Sequence, residues 1–225
     1  MTDRPDDSPD LLETVEIEPD GDASGSVIWL HGLGADAHDF EPIVPMMTLN
    51  TQLRFVFPNA PVRPVTINAG MAMRAWYDID PGAPLTGTED IVESAARVQA
   101  LVDRETERGI AAERITLAGF SQGGVIALQL GLRSESRLAG IMALSTYVHD
   151  NENLATQVSY ASIDVPIFMA HGIADPMIPI ARAATSREAL LAMNYQVEWH
   201  EYQMGHQVCP EEIRDMETWL NRIYA

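Results

Sequence analysis

Residues 115–130 read ITLAGFSQGGVIALQL, and they contain the motif Gly119-Phe120-Ser121-Gln122-Gly123. The apolar run before the motif predicts a short buried strand, and the apolar run after it predicts a helix. A serine on a strand-to-helix turn, with glycine two residues to either side, is the nucleophile-elbow pattern. The turn is so tight that side chains at the two glycine positions would collide. We therefore expect the Ser121 hydroxyl to project above a sheet, where a substrate can meet it.

The rest of the chain alternates short apolar runs with helical patterns. Such alternation predicts an α/β fold, with a mostly parallel sheet and helices on both of its faces. In sheets of this kind ligands bind beyond the carboxyl ends of the strands. The predicted strands are an edge strand at 12–18, buried strands at 27–30, 55–57, 141–144 and 167–170, a strand at 197–202 and a small hairpin of 65–67 with 71–73; the predicted helices are 40–47, 89–108, 180–193 and one that begins at Pro210.

Length and composition predict a single domain over residues 11–225, preceded by a disordered acidic lead at 1–10. No apolar run approaches the ~18 residues that a membrane span needs. The first ten residues lack the basic and then apolar layout of a signal peptide, so we expect a cytoplasmic protein. Cys209 is the one cysteine, which excludes an internal disulfide and a cysteine-based metal cluster.

The chain is strongly acidic, with 33 acidic and 14 basic residues and a net charge of −19. All of the basic residues are arginine, and there is no lysine. A chain with this charge repels nucleic acid and anionic membrane surfaces. We therefore expect no nucleic-acid partner and no stable membrane insertion.

A serine hydroxyl is a poor nucleophile at neutral pH, so it needs a base, usually a histidine. The candidates after the elbow are His149, His171, His200 and His206. His206 lies in a loop just past a strand, at the edge of the sheet where the elbow serine is expected. His200 lies inside that strand, His171 is typical of a packing residue in a turn, and His149 precedes any plausible acid. His206 is therefore the predicted base.

An acid must hold the imidazole in the correct tautomer, and in elbow-type hydrolases it lies between the serine and the histidine in the chain. Asp175 follows the strand at 167–170, again at a carboxyl end. Asp150, which follows the preceding strand, and Asp164, at the wrong end of its strand, are the alternatives. Asp175 before Pro176 is also compatible with a simple turn or helix cap. We favour Asp175 as the acid.

Two backbone N–H groups must also receive the negative charge that develops on the substrate oxygen. One comes from the residue after the nucleophile, which is Gln122. The other comes from the loop after an early strand, where His31-Gly32-Leu33-Gly34 makes Leu33 the predicted donor. A tight turn at this loop is the alternative reading, and a tight turn would also aim the N–H.

Several further stretches carry a resemblance to a known family. The chain is similar to the small carboxylesterase, lysophospholipase and acyl-protein thioesterase group of α/β-hydrolases. The stretches are His31-Gly32-Leu33-Gly34 with Asp39-Phe40, Phe57-Pro58-Asn59-Ala60-Pro61, Trp76-Tyr77-Asp78-Ile79, Gly119-Phe120-Ser121-Gln122-Gly123-Gly124, Leu144-Ser145, His171-Gly172 with Asp175, and Gly205-His206 with Cys209-Pro210-Glu211-Glu212.

The resemblance implies an α/β-hydrolase fold without a large lid domain, and it implies Ser121, Asp175 and His206 as the catalytic triad. Together with the residues, it predicts a serine carboxylesterase for short to medium acyl chains. The alternatives are a lysophospholipase or acyl-protein thioesterase for longer chains, or a catalytically silent binding module. Absence of one triad residue would mark the silent module, and all three residues are present.

The predicted substrate is a small ester or thioester, and the chemistry requires no metal or organic cofactor. A homodimer is expected only because members of the group often pair. The predicted apolar wall for the acyl group consists of Leu33, Trp76, Leu85 and Ile178, each of which has ordinary core packing as its alternative.

Overall fold

The computed structural model describes residues 11–83 and 86–225, and a seven-stranded sheet forms its centre. The predicted acidic lead at 1–10 lies outside the described residues. Within the described ranges the strands are β1 (Thr14–Ile17), β2 (Gly25–Leu30), β3 (Leu53–Pro58), β4 (Val62–Val65), β5 (Met71–Arg74), β6 (Ile115–Phe120), β7 (Gly140–Leu144), β8 (Ile167–Gly172) and β9 (Val197–Tyr202).

The strand order in the sheet is β1-β3-β2-β6-β7-β8-β9, and β4 pairs with β5 in a separate antiparallel hairpin. β1 runs antiparallel to β3, and all other neighbours in the large sheet are parallel. The predicted mostly parallel sheet is thereby confirmed, with its edge strand at the amino-terminal end of the chain.

The helices connect the strands and cover the sheet. None of those in the described ranges is long and apolar enough to cross a membrane. The α-helices are α1 (Thr88–Glu107), α2 (Gln122–Gly131), α3 (Leu154–Gln157), α4 (Ile180–Ala192) and α5 (Pro210–Ile223), and short 3₁₀ helices occupy Glu41–Met46, Thr66–Asn68, Ala112–Arg114 and Tyr160–Ser162.

Both faces of the sheet are buried, as the continuous apolar strands predict. In β2, Ile28 and Leu30 belong to the apolar cluster that also holds buried residues of α1, α2 and α4. Val27 and Trp29 point the other way, into the cluster that contains α5 and the segment around Phe40. Successive side chains of a strand alternate between faces, so an unbroken apolar run requires helices on both sides.

The position of the functional edge follows from the strand order. β2 lies between β3 on one side and β6 on the other, so the direction of winding reverses between β2 and β6. Leu30 of β2 pairs with Gly119 of β6, which places the loop after β2 beside the elbow. Ligands in open α/β sheets bind at such a switch point, beyond the carboxyl ends of the strands.

The glycines of the elbow are required by backbone contacts. A Cβ atom on Gly119 would lie 2.3 Å from the carbonyl oxygen of Gly123. A Cβ atom on Gly123 would lie 2.4 Å from the carbonyl oxygen of Leu30 and 2.6 Å from that of His31. The collision expected at these two positions is therefore with the main chain, which cannot rotate away as a side chain can.

Two predicted elements differ from the structure in type or extent. The predicted helix at 40–47 is the 3₁₀ helix Glu41–Met46, because Pro42 and Pro45 lack the N–H groups that α-helical bonds need. In the hairpin, the first strand ends at Val65 and does not continue to residue 67. The Asp78 carboxylate accepts hydrogen bonds from the N–H and hydroxyl of Thr66, and the chain turns there into a 3₁₀ helix. The short helix α3 was not predicted.

Substitution of Gly119 by alanine tests the elbow contacts. We expect Gly119→Ala to lower the free energy of unfolding by about 3 kcal/mol, the upper part of the usual overpacking range, because the obstruction is backbone. Urea denaturation measures the change. Gly21→Ala is the matched control, since no atom lies within 4 Å of the added Cβ there. Equal stability of the two variants would contradict the assignment.

Candidate active site

The backbone of Ser121 has an unusual conformation, with φ 54° and ψ −117°. A non-glycine residue in such a region costs roughly 1–3 kcal/mol and persists only where surrounding contacts hold it. The Ser121 N–H donates to the carbonyl of Leu144 on the neighbouring β7 at 2.9 Å. The Thr146 hydroxyl donates to the Ser121 carbonyl at 2.7 Å. These two bonds hold the serine at the amino end of α2.

The Ser121 hydroxyl, the His206 imidazole and the Asp175 carboxylate form one hydrogen-bonded chain. Ser121 Oγ lies 2.8 Å from His206 Nε2, and His206 Nδ1 lies 2.7 Å from Asp175 Oδ2. The carboxylate accepts, so Nδ1 carries a proton and donates it to Asp175. Nε2 of the neutral ring is then free to accept the proton of the serine hydroxyl.

The surroundings of Asp175 keep it ionised. Its side chain is fully buried, and burial alone would raise the pKa of the carboxyl group. The N–H groups of Ile178 and Met177 donate to Oδ1 at 2.9 and 2.8 Å, and His206 donates to Oδ2. Together these bonds outweigh the effect of burial and leave the pKa of Asp175 below its usual value.

The loops that carry the acid and the histidine touch through their backbones. A Cβ atom on Gly172, at the end of β8, would lie 2.3 Å from the carbonyl oxygen of Gly205. Only glycine permits the two loops to come this close. The His206 ring also packs against Phe120 with 4.8 Å between ring centroids, so it is held on the elbow side of the sheet.

The other histidines that were considered as bases have different neighbours. His149 Nε2 lies 3.0 Å from the Thr88 hydroxyl. His200 Nε2 lies 2.9 Å from Glu198, on β9. His171 is buried, and its Nε2–H donates to the carbonyl of Ile178, where it supports the loop of Asp175. The structure brings only His206 of these four within hydrogen-bond distance of Ser121 among the described residues.

The alternative acids also lie outside the hydrogen-bonded chain. Asp150 accepts hydrogen bonds from the backbone and side chain of Asn153. Asp164 is exposed, and its carbonyl accepts from Arg137. Neither carboxylate contacts His206 within the part of the chain that the structure describes.

The N–H of Leu33 lies on the loop after β2, and that of Gln122 lies at the start of α2, where the two segments meet beside Ser121. Gln122 is the first residue of α2, so its N–H has no acceptor inside the helix. Within residues 11–83 and 86–225 the N–H of Leu33 has no acceptor either. The next N–H along the chain, that of Gly34, donates to the backbone carbonyl of Arg74. Both groups are therefore available to a ligand oxygen.

Trp76 does not line the cavity, contrary to the predicted acyl wall. Its side chain is fully buried, and its indole N–H donates to the carbonyl of His31 at 2.9 Å. His31 in turn accepts a hydrogen bond from Ala60 N–H at Nε2. Burial lowers the pKa of His31, so the ring stays neutral and keeps this bond. Trp76 thus supports the loop after β2 from inside the core.

The side chain of Gln122 has a role that sequence reasoning missed. It is buried, with Oε1 accepting from the N–H of Trp76 at 2.7 Å and Nε2 donating to the carbonyl of Tyr77 at 2.6 Å. The side chain therefore ties the elbow to the segment after the hairpin. The motif alone indicated only the N–H of this residue.

A cavity of about 450 Å³ opens above Ser121. Leu33 and Ile178 line it as predicted, whereas Leu85 lies outside the described residues. Tyr147 follows the carboxyl end of β7, so the strand-end rule could have found it. Met177 and Arg182 had no sequence signal beyond their nearness to Asp175. Other lining residues that the sequence did not single out for the cavity are Ile67, Asn68, Met73 and Ile79.

Among the described residues, no group of three or more histidine, cysteine, aspartate or glutamate side chains could hold a metal ion. At Ser121 itself, a hydroxyl, an imidazole and two backbone N–H groups lie together. This set is suited to acyl transfer, in which a nucleophile, a base and oxyanion donors converge on one carbonyl.

The seven-stranded sheet, with a serine on the turn after β6, defines an α/β-hydrolase. Residues 13–224 match the model of a family described as Phospholipase/Carboxylesterase. The chain is 36% identical over 234 aligned positions to acyl-protein thioesterase 1 of Mycosarcoma maydis, covering 95% of this chain and 98% of that protein. It is 39% identical over 210 positions to acyl-protein thioesterase 1 of Neurospora crassa, covering 88% of this chain and 86% of that protein.

A solved structure shows the same fold. SOBER1 of Arabidopsis thaliana superimposes with a TM-score of 0.83 at 28% identity, covering 89% of this chain and 99% of that one. The chain belongs to the phospholipase/carboxylesterase family of α/β-hydrolases. It is a serine hydrolase that acts on esters or thioesters.

Replacement of Gln122 by leucine tests the link between the elbow and residues 76–77. The variant leaves the N–H of Trp76 and the carbonyl of Tyr77 buried without partners. We expect a loss of about 2–6 kcal/mol in the free energy of unfolding, because two buried groups lose their partners at about 1–3 kcal/mol each. Urea denaturation gives the value. Gln129→Leu on the same helix is the control, because the Gln129 side chain makes no hydrogen bond among the described residues. A loss as large in the control would refute the proposed link.

Proposed function

We propose that the protein is a carboxylesterase that hydrolyses carboxylic esters with short to medium acyl chains through an acyl-enzyme. Ser121 is the nucleophile, His206 the general base and then the acid, and Asp175 the residue that orients the histidine. The observation that carries this proposal is the continuous pair of hydrogen bonds from Ser121 Oγ to His206 and from His206 to Asp175, at 2.8 and 2.7 Å.

In the first step Ser121 Oγ attacks the carbonyl carbon of the ester while its proton passes to His206 Nε2. The Nδ1–H bond to the ionised Asp175 stabilises the imidazolium that forms. Because backbone N–H groups hold the Asp175 charge, the carboxylate stays fixed while the histidine changes charge. Collapse of the tetrahedral intermediate breaks the ester C–O bond, and the imidazolium gives its proton to the departing alcohol.

The N–H groups of Leu33 and Gln122 receive the oxyanion of this intermediate. The two donors follow the neighbouring strands β2 and β6, so the backbone fixes their direction before substrate arrives. Such preorganised donors are worth about 10²–10³ in kcat each. In the second step water attacks the acyl-enzyme with His206 as base, and the acid product leaves with Ser121 restored.

The cavity favours short to medium acyl chains. Its volume of about 450 Å³ lies in the lower half of the range typical for pockets that hold small molecules. Leu33 and Ile178 provide an apolar wall beside the serine. The acyl group and the alcohol must share this space, so the part left for the acyl chain is limited.

An acyl-protein thioesterase for longer chains is the second candidate. Ile67 and Met177 line the cavity yet are 47% and 69% exposed, so its apolar surface continues to the outside of the molecule. A long chain can extend along such an opening. The relatives with the name acyl-protein thioesterase 1 also favour this candidate. Lysophospholipase activity would need the same opening.

A catalytically silent binding module is disfavoured because none of the three proposed catalytic groups is missing or turned away.

The cytoplasmic location and the homodimer stay predictions. Gel filtration with light scattering would test the dimer.

Substitution of Asp175 tests the mechanism. An asparagine here cannot hold the proton on Nδ1 as the carboxylate does, so we expect Asp175→Asn to lower kcat on p-nitrophenyl butyrate by about 10⁴, the size of the same exchange in serine proteases. Asp150→Asn is the control and should keep the activity. If the Asp150 variant lost activity and the Asp175 variant kept it, the choice of Asp175 as the acid would be wrong.

A series of p-nitrophenyl esters with acyl chains from acetyl to palmitoyl, and matching thioesters, tests the substrate class. We expect kcat/KM to be highest at short to medium length, because longer chains must leave the cavity. The Ser121→Ala variant supplies the blank, and any turnover that it retains does not come from this site. A steady rise of kcat/KM up to palmitoyl thioesters would contradict the carboxylesterase proposal and support the acyl-protein thioesterase.

A further inference from the structure

The arginine in the cavity wall has no acidic partner among the residues that the structure describes. Arg182, in the first turn of α4, lines the cavity above Ser121. It also lines a smaller adjoining cavity of about 270 Å³, so it lies where the two spaces meet. Tyr77 and Tyr147 line both cavities as well.

In the described part of the chain the charge of Arg182 is unpaired, although the protein is strongly acidic. Within residues 11–83 and 86–225, its guanidinium makes no ion pair and no hydrogen bond. Every other arginine of the described ranges has an acidic partner or a carbonyl or amide acceptor. These are Arg54, Arg63, Arg74, Arg97, Arg104, Arg108, Arg114, Arg133, Arg137, Arg187, Arg214 and Arg222.

The guanidinium is nevertheless held in place. Its central carbon lies 3.3 Å from the centroid of the Tyr147 ring, a stacked cation–π contact. Tyr147 is buried, and its hydroxyl lies 3.3 Å from that of Tyr77. Stacking uses the flat face of the guanidinium and leaves the N–H groups along its edge free to bind two oxygens of one anion.

The described acidic side chains of the two cavities do not pair with Arg182. In the smaller cavity, Asp78 accepts hydrogen bonds from Thr66 and Ile79, and Asp80 accepts from Gly82. In the larger cavity Asp39 is partly buried, which raises the pKa of its carboxyl group. None of the three forms an ion pair with Arg182 in the described structure.

We propose that Arg182 binds an anionic group of the substrate, a carboxylate or a phosphate monoester, while the ester carbonyl lies at Ser121. The inference rests on the proposed esterase function and names its substrate class as anionic esters. The planar fork of arginine matches both anions, and its stacked position fixes the direction from which they bind. The anion can belong to the acyl chain or to the alcohol.

Two pairs of esters test this assignment and distinguish the two sources of the anion. The first pair is butanoylglycerol phosphate and monobutanoylglycerol, which differ in the alcohol. The second is the mono-p-nitrophenyl ester of hexanedioic acid and p-nitrophenyl hexanoate, which differ in the acyl chain. The readout is the ratio of kcat/KM for the anionic ester to kcat/KM for the neutral one.

We expect a ratio above one in at least one pair, and a fall of this ratio by about 10- to 100-fold in Arg182→Gln, the range for a lost charge-assisted contact. The loss should lie mainly in KM, and Arg182→Lys should restore part of the ratio because it keeps the charge without the fork.

Arg187→Gln is the matched control. It removes the same charge from the same helix, where Arg187 pairs with Glu188 and stacks on Trp199.

Each outcome bears on the proposal. A fall confined to one pair supports it and assigns the anion to the alcohol or to the acyl chain. Ratios that are equal in the wild-type protein and in the Arg182 variant overturn it, while turnover of the neutral esters keeps the esterase function. Absence of turnover with all four esters overturns the esterase function and this inference with it.

Discussion

The strained backbone of Ser121 is the constraint on which the site depends. At φ 54° and ψ −117° the residue turns directly from β6 into α2, so its hydroxyl stands at the amino end of the helix. The conformation costs roughly 1–3 kcal/mol, and the bonds to Leu144 and from Thr146 offset that cost. Both partners come from β7 or the residues just after it. The nucleophile is therefore positioned by the neighbouring strand as much as by its own turn.

The same constraint extends to the other parts of the site through places where two backbones touch. Gly123 brings α2 against the end of β2, and this contact sets the loop with Leu33 beside the elbow. Gly172 brings the Asp175 loop against the His206 loop in the same way. Main-chain contacts are stiffer than side-chain contacts, since no rotamer can relieve them. Four separate segments thus meet with little freedom.

The residues that follow strands could be predicted from the sequence, because their place depends on local order along the chain. Asp175 and His206 are predicted in this way, and the structure bonds His206 to Ser121 and Asp175 to His206. Trp76 and the side chain of Gln122 could not be placed, because their partners are 45 or 46 residues away in the chain. An apolar tryptophan near a motif indicates burial, and sequence alone does not say whether it faces a core or a cavity.

The charge of the molecule makes short-range contacts decisive for any anionic ligand. With its net charge of −19 the protein repels anions at a distance, but salt screens that repulsion beyond about 8–10 Å. Inside the cavity the field depends on the few charges at its wall. The ionised Asp175 carboxylate is held by backbone N–H groups and His206, and no arginine contacts it within the described residues. Among residues 11–83 and 86–225, Arg182 forms no ion pair, so its positive charge at the wall stays open to a ligand. A substrate anion that reaches the cavity meets an attraction there that the acidic surface outside does not offer.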